Sequence, residues 1–500
     1  MSSTSLPGTS EFAGIREHMI IDGRPYTESD GPAIPVYDPA TGTEIAHQLE
    51  AGPKQVNDAV QAARRAFDHP SWRDLSPAAR EKLLLNLAEL VEAHADELAR
   101  LETLNNGKLL ALSQGLEVGA GAQWLRYMAG WATKISGETL NISIPFPPGV
   151  NYHAYTRPEP VGVVAAIIPW NFPLLMAIWK IAPAVATGCT VVLKPAEETP
   201  LTAIRLAELA LEAGFPPGVI NVVTGRGEVT GAALVAHPDI DKIAFTGSTE
   251  VGKLIGRQAM DDMKRVSLEL GGKSPVIVLD DCDIDMAIQG AANAIFFNQG
   301  QVCTAGSRLY IQKKLYDKVV GGLVDLADSM KMGSGFDPST QIGPMVSARH
   351  RKRVLDFIDV GKRDGATMMT RGEPGDSKGY FVRPAVFANV APDARISREE
   401  IFGPVVVAAT FDTQEQAMQL ANDTRYGLGA SIWSNDLARV NQIIPLLQAG
   451  TVWVNTHNML DPHMPFGGYK QSGIGREHGA AAIDMYLKKK SVCMAYPAGR

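Results

Sequence analysis

From residue 161 onward the chain alternates short, continuously apolar stretches with helical ones, and this rhythm restricts its fold more than any other feature. Apolar runs at 163–168, 190–193, 219–223, 242–245 and 275–279 read as strands, with helices starting near Phe172, Leu201, Glu228 and Glu250 between them. A strand that is apolar on both sides must be covered on both sides, so the pattern predicts a parallel sheet with helices on each face. Ligands of such sheets sit at the carboxyl ends of the strands, which directs attention to those loops. A second α/β run follows a helix from about Asp281 to Phe297, with strands expected at 308–311, 405–410, 430–433 and 451–454. At 500 residues the chain exceeds what one core usually serves, so two or three domains are expected.

The first part of the chain is helical in pattern. Val56, Ala59, Val60, Ala63 and Phe67 recur at helical spacing, and 76–104 reads as one long helix with Ser76 as cap and Pro77 in its first turn. A third helix is expected over 116–135. The stretch 139–158 carries several prolines and alternates at Tyr152, Ala154 and Thr156, which suggests an extended hairpin leaving the main body. The segment 491–496 alternates again and would pair with that hairpin or with another subunit. Exposed strand edges invite pairing, so a homodimer or homotetramer is expected. Residues up to about Ser10 are expected to be frayed.

Composition removes several classes of function. A net charge of -7 argues against a general nucleic-acid binder, and Lys488, Lys489 and Lys490 read as a solvated strand end. The cysteines Cys189, Cys282, Cys303 and Cys493 form neither a CxxC pair nor a disulfide framework, which fits a reducing cytoplasm. The N-terminal residues lack the apolar centre of a signal peptide, and the apolar stretch near Val161 is broken by Pro169, Asn171 and Pro173, so no membrane span is expected. The histidines are scattered without HExxH, and His457 and His463 have no cysteine neighbours, so no metal is expected.

Two attractive motifs fail on their mechanics. Gly247 to Lys253 matches a P-loop until its last position, where Leu254 stands in place of the hydroxyl that holds magnesium. A glycine-rich turn leading into a helix still offers backbone N–H groups to phosphate oxygens, so the segment keeps a pyrophosphate role. Gly375 to Gly379 satisfies GxSxG, but polar residues precede it and no helix follows, so it reads as a surface loop. Gly225-Arg226-Gly227 with Gly231 misses the dinucleotide spacing by one residue.

The chemistry gathers around Cys303, which lies among amides, hydroxyls and glycines in Asn298-Gln299-Gly300-Gln301-Val302-Cys303-Thr304, where a thiolate can be approached closely. Glu269 stands between two leucines before Gly271 and Gly272 at a strand end. Burial there would raise its pKa and suit it to act as a general base. Asn171, in Pro169-Trp170-Asn171-Phe172-Pro173 just past the first sheet strand, would hold a developing oxyanion with the Cys303 N–H.

With Lys194-Pro195-Ala196-Glu197, the stretch 245–252, Glu400-Ile401-Phe402-Gly403-Pro404 and 465–476, these blocks resemble the aldehyde dehydrogenase superfamily in family order, from about residue 21 to 492. The resemblance implies an α/β fold with a Rossmann-like cofactor domain (1–138 and 159–270), a catalytic domain (271–485) and a β oligomerisation extension (139–158 and 486–500). It implies an NAD-dependent enzyme with Cys303 as nucleophile, Asn171 at the oxyanion, Glu269 activating water, and Lys180 and Glu477 relaying the proton. Lys194 and Glu197 would hold the adenosine ribose, Ser248 the pyrophosphate, and Glu400 and Phe402 the nicotinamide end. Ile167, Pro169, Trp170, Gly227, Phe245, Gly247, Val251, Leu270 and Gly271 would complete the cofactor wall. A carboxylate at Glu197 would repel a 2′-phosphate, so NAD is expected over NADP.

The substrate channel implied by the resemblance comprises Phe172, Leu175, Met176, Trp179, Val302, Thr304 and Phe466. It is apolar and aromatic, and it suits a hydrophobic aldehyde better than an anionic one. Finer similarity, at 137–150 and 454–461, points to oxidation of phenylacetaldehyde. Betaine aldehyde and γ-glutamylaminobutyraldehyde are the alternatives within the family. A cysteine esterase or hydrolase is the alternative outside it.

Overall fold

The computed structural model describes residues 17–29, 31–372 and 378–497. Ser10 and its predecessors, and Gly375, Asp376 and Ser377 of the GxSxG stretch, lie outside the described residues.

The first sheet has eight strands, in the order Gly473–Ile474, Arg265–Glu269, Lys242–Thr246, Val163–Ile167, Thr190–Lys194, Ile220–Val222, Met19–Ile21 and Arg24–Tyr26. Five strands, from Arg265–Glu269 to Ile220–Val222, are mutually parallel. The chain moves outward from Val163–Ile167 through the next two strands, then returns to place Lys242–Thr246 on the other side of where it began. The strand order therefore reverses between Val163–Ile167 and Lys242–Thr246. Loops leaving neighbouring strands at such a point diverge to opposite faces and open a crevice at the carboxyl ends. The helix Pro173–Thr187, which continues from one of those loops, is buried along its whole length.

The second sheet has seven strands, in the order Thr367–Met368, Ala385–Ala388, Val405–Phe411, Arg308–Gln312, Pro275–Val278, Gly429–Trp433 and Thr451–Val454. All its pairings are parallel except the first. The run at 275–279, expected to continue the first series, belongs here. Apolar periodicity identifies a strand without saying which sheet receives it. The strand that does end the parallel series, Arg265–Glu269, starts on exposed Arg265 and so breaks the continuous apolar pattern.

Two helical expectations also change. The stretch 76–104 is two helices, Pro77–Ala93 and Ala95–Asn106, separated at His94, whose ψ of 24° departs from helical geometry. The Ser76 side chain caps the first by accepting the Ala79 N–H, with Pro77 at its start as expected. The stretch 116–135 starts as a widened π-helical turn, Ser113–Ala120, and continues as Gly121–Ala129.

A separate three-stranded sheet joins Thr139–Leu140, Val150–Pro160 and Leu487–Pro497. The C-terminal strand pairs with the hairpin along its full length, from Leu487 opposite Pro160 to Pro497 opposite Val150. Among the described residues no helix is long and apolar enough to cross a membrane, and no group of three or more His, Cys, Asp or Glu is placed to hold a metal.

Candidate active site

A cavity of about 1140 Å³ lies where the two sheets meet. The first sheet presents carboxyl ends to it: Pro169, Trp170, Asn171 and Phe172 after one strand, Gly247 and Ser248 after another, and Glu269, Leu270 and Gly271 at a third. The second sheet presents amino ends: Val302, Cys303 and Thr304 before Arg308–Gln312, Glu400 and Phe402 before Val405–Phe411, and Leu428 before Gly429–Trp433. Leu175, Met176, Trp179 and Phe466 complete the residues expected on this wall.

Cys303 reaches the cavity at the end of a tightly wound loop. Asn298, Gln299 and Gly300 all have left-handed backbone, at φ 46°, 57° and 72°. Gly271 and Gly272 pass through the gap between this loop and Glu400. A methyl group on Gly272 would strike the Cys303 carbonyl, and one on Gly271 would strike the Glu400 carboxylate. The Gly272 N–H instead donates to Glu400 Oε1 at 3.0 Å. Side chains are excluded there because two functional loops approach the same backbone.

Electrostatics inside the cavity disfavour charge. Burial, with Glu400 and Glu269 adding negative potential, pushes the Cys303 thiol up to about 12. Glu269 is held well above the usual carboxylate range, by burial first and Glu477 second, against opposing pulls from Lys180 and Arg476. Glu400 is raised to about 7, mainly by burial. Glu269 is fixed from the far half of the chain. Its strand pairs with Gly473–Ile474, and the Leu270 N–H donates to the Ser472 carbonyl at 2.9 Å. The Ser472 hydroxyl donates to the Gly271 carbonyl at 2.7 Å.

Asn171 is buried with its side-chain Nδ2 donating to the Gln301 carbonyl at 3.0 Å, which ties it to the cysteine loop. An amide nitrogen carries two hydrogens, so a second donor remains for the cavity. Lys180 and Glu477 form a buried ion pair that does not line the cavity and acts on Glu269 through its field.

Other expected residues stand back from the cavity wall. Ile167 and Phe245 face the sheet core, and Val251 is partly exposed on the helix Thr249–Asp261. Lys194 donates to the carbonyls of Pro195 and Gly225, at 2.6 and 2.7 Å, and lies 4.0 Å from Glu197. Gly227 starts the short π-turn beyond. Glu198, rather than Glu197, lines the cavity, and Arg349 reaches both, at 2.7 and 3.7 Å respectively.

Several participants were not singled out in the sequence. Leu116, Trp124, Phe297 and Leu460 extend the apolar wall, and Asn458 adds an amide whose Oδ1 accepts from the Thr304 hydroxyl at 2.8 Å. Lys108, wholly buried and paired with Glu117, donates to the Asn171 carbonyl at 2.9 Å, and Glu117 accepts the Leu175 N–H at 2.8 Å. His350 donates to the Phe402 carbonyl at 2.6 Å and packs on Trp170. These roles depend on burial and cross-chain distance, which local sequence spacing does not encode.

Residues 26–492 match the model of the family described as "Aldehyde dehydrogenase family". The chain belongs to the aldehyde dehydrogenase family. Its activity is accordingly that of an aldehyde dehydrogenase, the oxidation of an aldehyde. Among family members, the chain is 56% identical to the phenylacetaldehyde dehydrogenase of Pseudomonas fluorescens, over 99% of each chain. It resembles the NAD+ complex of the Bacillus cereus aldehyde dehydrogenase, with a TM-score of 0.93 and 47% identity over 98% of this chain and 99% of that one. It also resembles a Staphylococcus aureus betaine aldehyde dehydrogenase in complex with NAD+. There the TM-score is 0.94 and the identity 39%, over 97% of this chain and 96% of the other.

Proposed function

We propose that this aldehyde dehydrogenase uses NAD and oxidises phenylacetaldehyde to phenylacetate through a covalent intermediate on Cys303. The observation that carries this reading is that one cavity is lined by Cys303, Asn171 and the buried Glu269 carboxylate together with aromatic side chains.

The residues present fit a dinucleotide. The cavity continues past Cys303 to Ser248, whose side chain caps the helix Thr249–Asp261. The backbone donors of that helix start suit a pyrophosphate. Lys194 ends the neighbouring strand at its carboxyl end, where it and Glu197 would hold the adenosine ribose. Glu400 would hold the nicotinamide ribose, with Phe402 against the ring. The carboxylate of Glu197 supports NAD over NADP, and comparing kcat/KM for the two tests that preference; equal use of NADP would contradict it.

Burial makes a free Cys303 thiolate costly, so Cys303 attacks the aldehyde carbon as its thiol proton passes to the Glu269 carboxylate. That carboxylate hands it on towards Lys180 and Glu477 before water is activated. Asn171 and the Cys303 N–H receive the oxyanion of the resulting thiohemiacetal. Held by these residues, NAD would supply a hydride acceptor for that carbon, and Cys303 would be left carrying a thioester. Glu269 then takes a proton from water, and the water oxygen attacks the thioester and releases the acid. Lys180 and Glu477 lie behind Glu269 and lead that proton away.

The decisive assay is NADH formation across an aldehyde panel. kcat/KM for phenylacetaldehyde is expected to exceed those for betaine aldehyde and aminoaldehydes. The opposite order would refute the substrate assignment, and ester hydrolysis without NADH formation would refute the reaction class. The exposed outer edge of Leu487–Pro497 supports a homodimer or homotetramer, and solution mass measurement would test it.

A further inference from the structure

The channel wall contains two indoles that hydrogen bonds do not orient. Trp124 and Trp179 are both buried, and among the described residues neither ring N–H has a hydrogen-bond partner. Their rings lie near-parallel to each other, 5.8 Å apart between centroids. What fixes their tilt must therefore be packing.

One side chain touches both. The imidazole of His478 meets Trp179 edge to face at 4.0 Å and Trp124 at 5.2 Å, and it stacks beside Phe466 at 5.7 Å. Phe466 in turn meets Trp179 at 5.9 Å. Trp124, Trp179 and Phe466 line the cavity, whereas His478 is buried behind them. Aromatic pairs prefer defined tilted or offset geometries, so a ring that contacts three others constrains all of them.

The backbone on either side of His478 is held by its own hydrogen bonds. Glu477 and Phe466 exchange two backbone hydrogen bonds at 2.7 and 2.8 Å, and the Gly479 N–H donates to the Pro462 carbonyl at 2.8 Å. His478 itself adopts φ 65° and ψ 164°, a positive-φ extended conformation that glycine accepts far more readily than any other residue. Burial holds the imidazole neutral, down to about 3, so it acts as a ring and not as a cation.

We propose that His478 is a positioning residue for substrate selection: it backs Trp124, Trp179 and Phe466 so that they form a slot matched to a flat aryl group. This rests on the aldehyde assignment above and adds the residue that enforces it. A short aliphatic aldehyde reaches Cys303 without needing that wall, so the two substrate classes respond differently when the imidazole is removed.

The test is steady-state kinetics of His478→Asn and His478→Gly with phenylacetaldehyde and with propanal, alongside the Kd for NAD. In both variants KM for phenylacetaldehyde is expected to rise about tenfold, the scale of one lost aromatic pair. Its kcat, the propanal constants and NAD binding are expected to stay within about twofold, with Gly showing the larger KM effect because it leaves the larger void. Asn is the milder change and keeps the test readable if Gly folds poorly. An unchanged ratio of kcat/KM between the two aldehydes in the Asn variant would overturn the proposal, as would equal losses for both. A wild-type enzyme with no preference for phenylacetaldehyde over propanal would instead overturn the substrate assignment, and this inference with it.

Discussion

The two sheets bound the same cavity with opposite ends. The first follows the behaviour of open parallel sheets: its strands stop, and Asn171, Ser248 and Glu269 stand at or just past their carboxyl ends, around the point where strand order reverses. The second sheet does the reverse, and delivers Cys303, Glu400 and Phe402 on loops that lead into its strands. The return helix Ile284–Phe296 makes this possible, because it carries the chain from the end of Pro275–Val278 back to the amino edge. The lesson is a division of labour. Strand ends hold Asn171 and Glu269, while loops with left-handed backbone, at Asn298 to Gly300 and at Phe402, deliver Cys303 and Phe402.

That contrast is broken most severely at Cys303. Cys303→Ala is expected to lower dehydrogenase kcat by at least about 10⁴-fold, on the scale seen when a covalent nucleophile is removed. NAD binding, measured by fluorescence quenching, should survive; retained activity would contradict the assignment. Glu269→Gln removes the base held on the first sheet and should cost about 10²- to 10⁴-fold in kcat. The sign of its pH effect follows from its raised pKa. Water activation needs the carboxylate, so wild-type kcat should rise with pH through a limb above the usual carboxylate range. The Gln variant should lose that limb, and an unchanged profile would remove Glu269 from the role.

Gly272→Ala probes the seam between the sheets. Its methyl group would displace the Cys303 carbonyl, and a shift of about 1 Å at a reacting group costs on the order of 10²-fold. Activity within about twofold of wild type would show that the loops tolerate separation. Ser248→Ala is the smallest change. Losing the helix cap should cost about 1 kcal/mol of stability in thermal unfolding and weaken NAD binding without altering kcat.

Local patterns in the sequence carried much of this arrangement, and their limits are specific. Continuous apolar runs revealed the strands that end near Asn171 and Ser248, because burial on both faces leaves a mark in each residue. Cys303 and Glu269 were legible as a thiol among amides, hydroxyls and glycines and as a carboxylate between leucines. Apolar rhythm alone grouped Pro275–Val278 with the first series, whereas the resemblance placed it within 271–485, because strands of similar pattern differ only in their long-range partners. Lys108 and His350 went unnoticed because each acts through a backbone carbonyl more than fifty residues away, Asn171 for the one and Phe402 for the other. His94 interrupts a helix that periodicity alone would continue.

The most direct test of the meeting between nucleophile and base is a single-turnover experiment on Glu269→Gln with phenylacetaldehyde and NAD. The expected result is a burst of one NADH per active site, followed by slow turnover, with the phenylacetyl group found on Cys303 by mass spectrometry. Absence of the burst, or an acyl group on any other residue, would contradict the account.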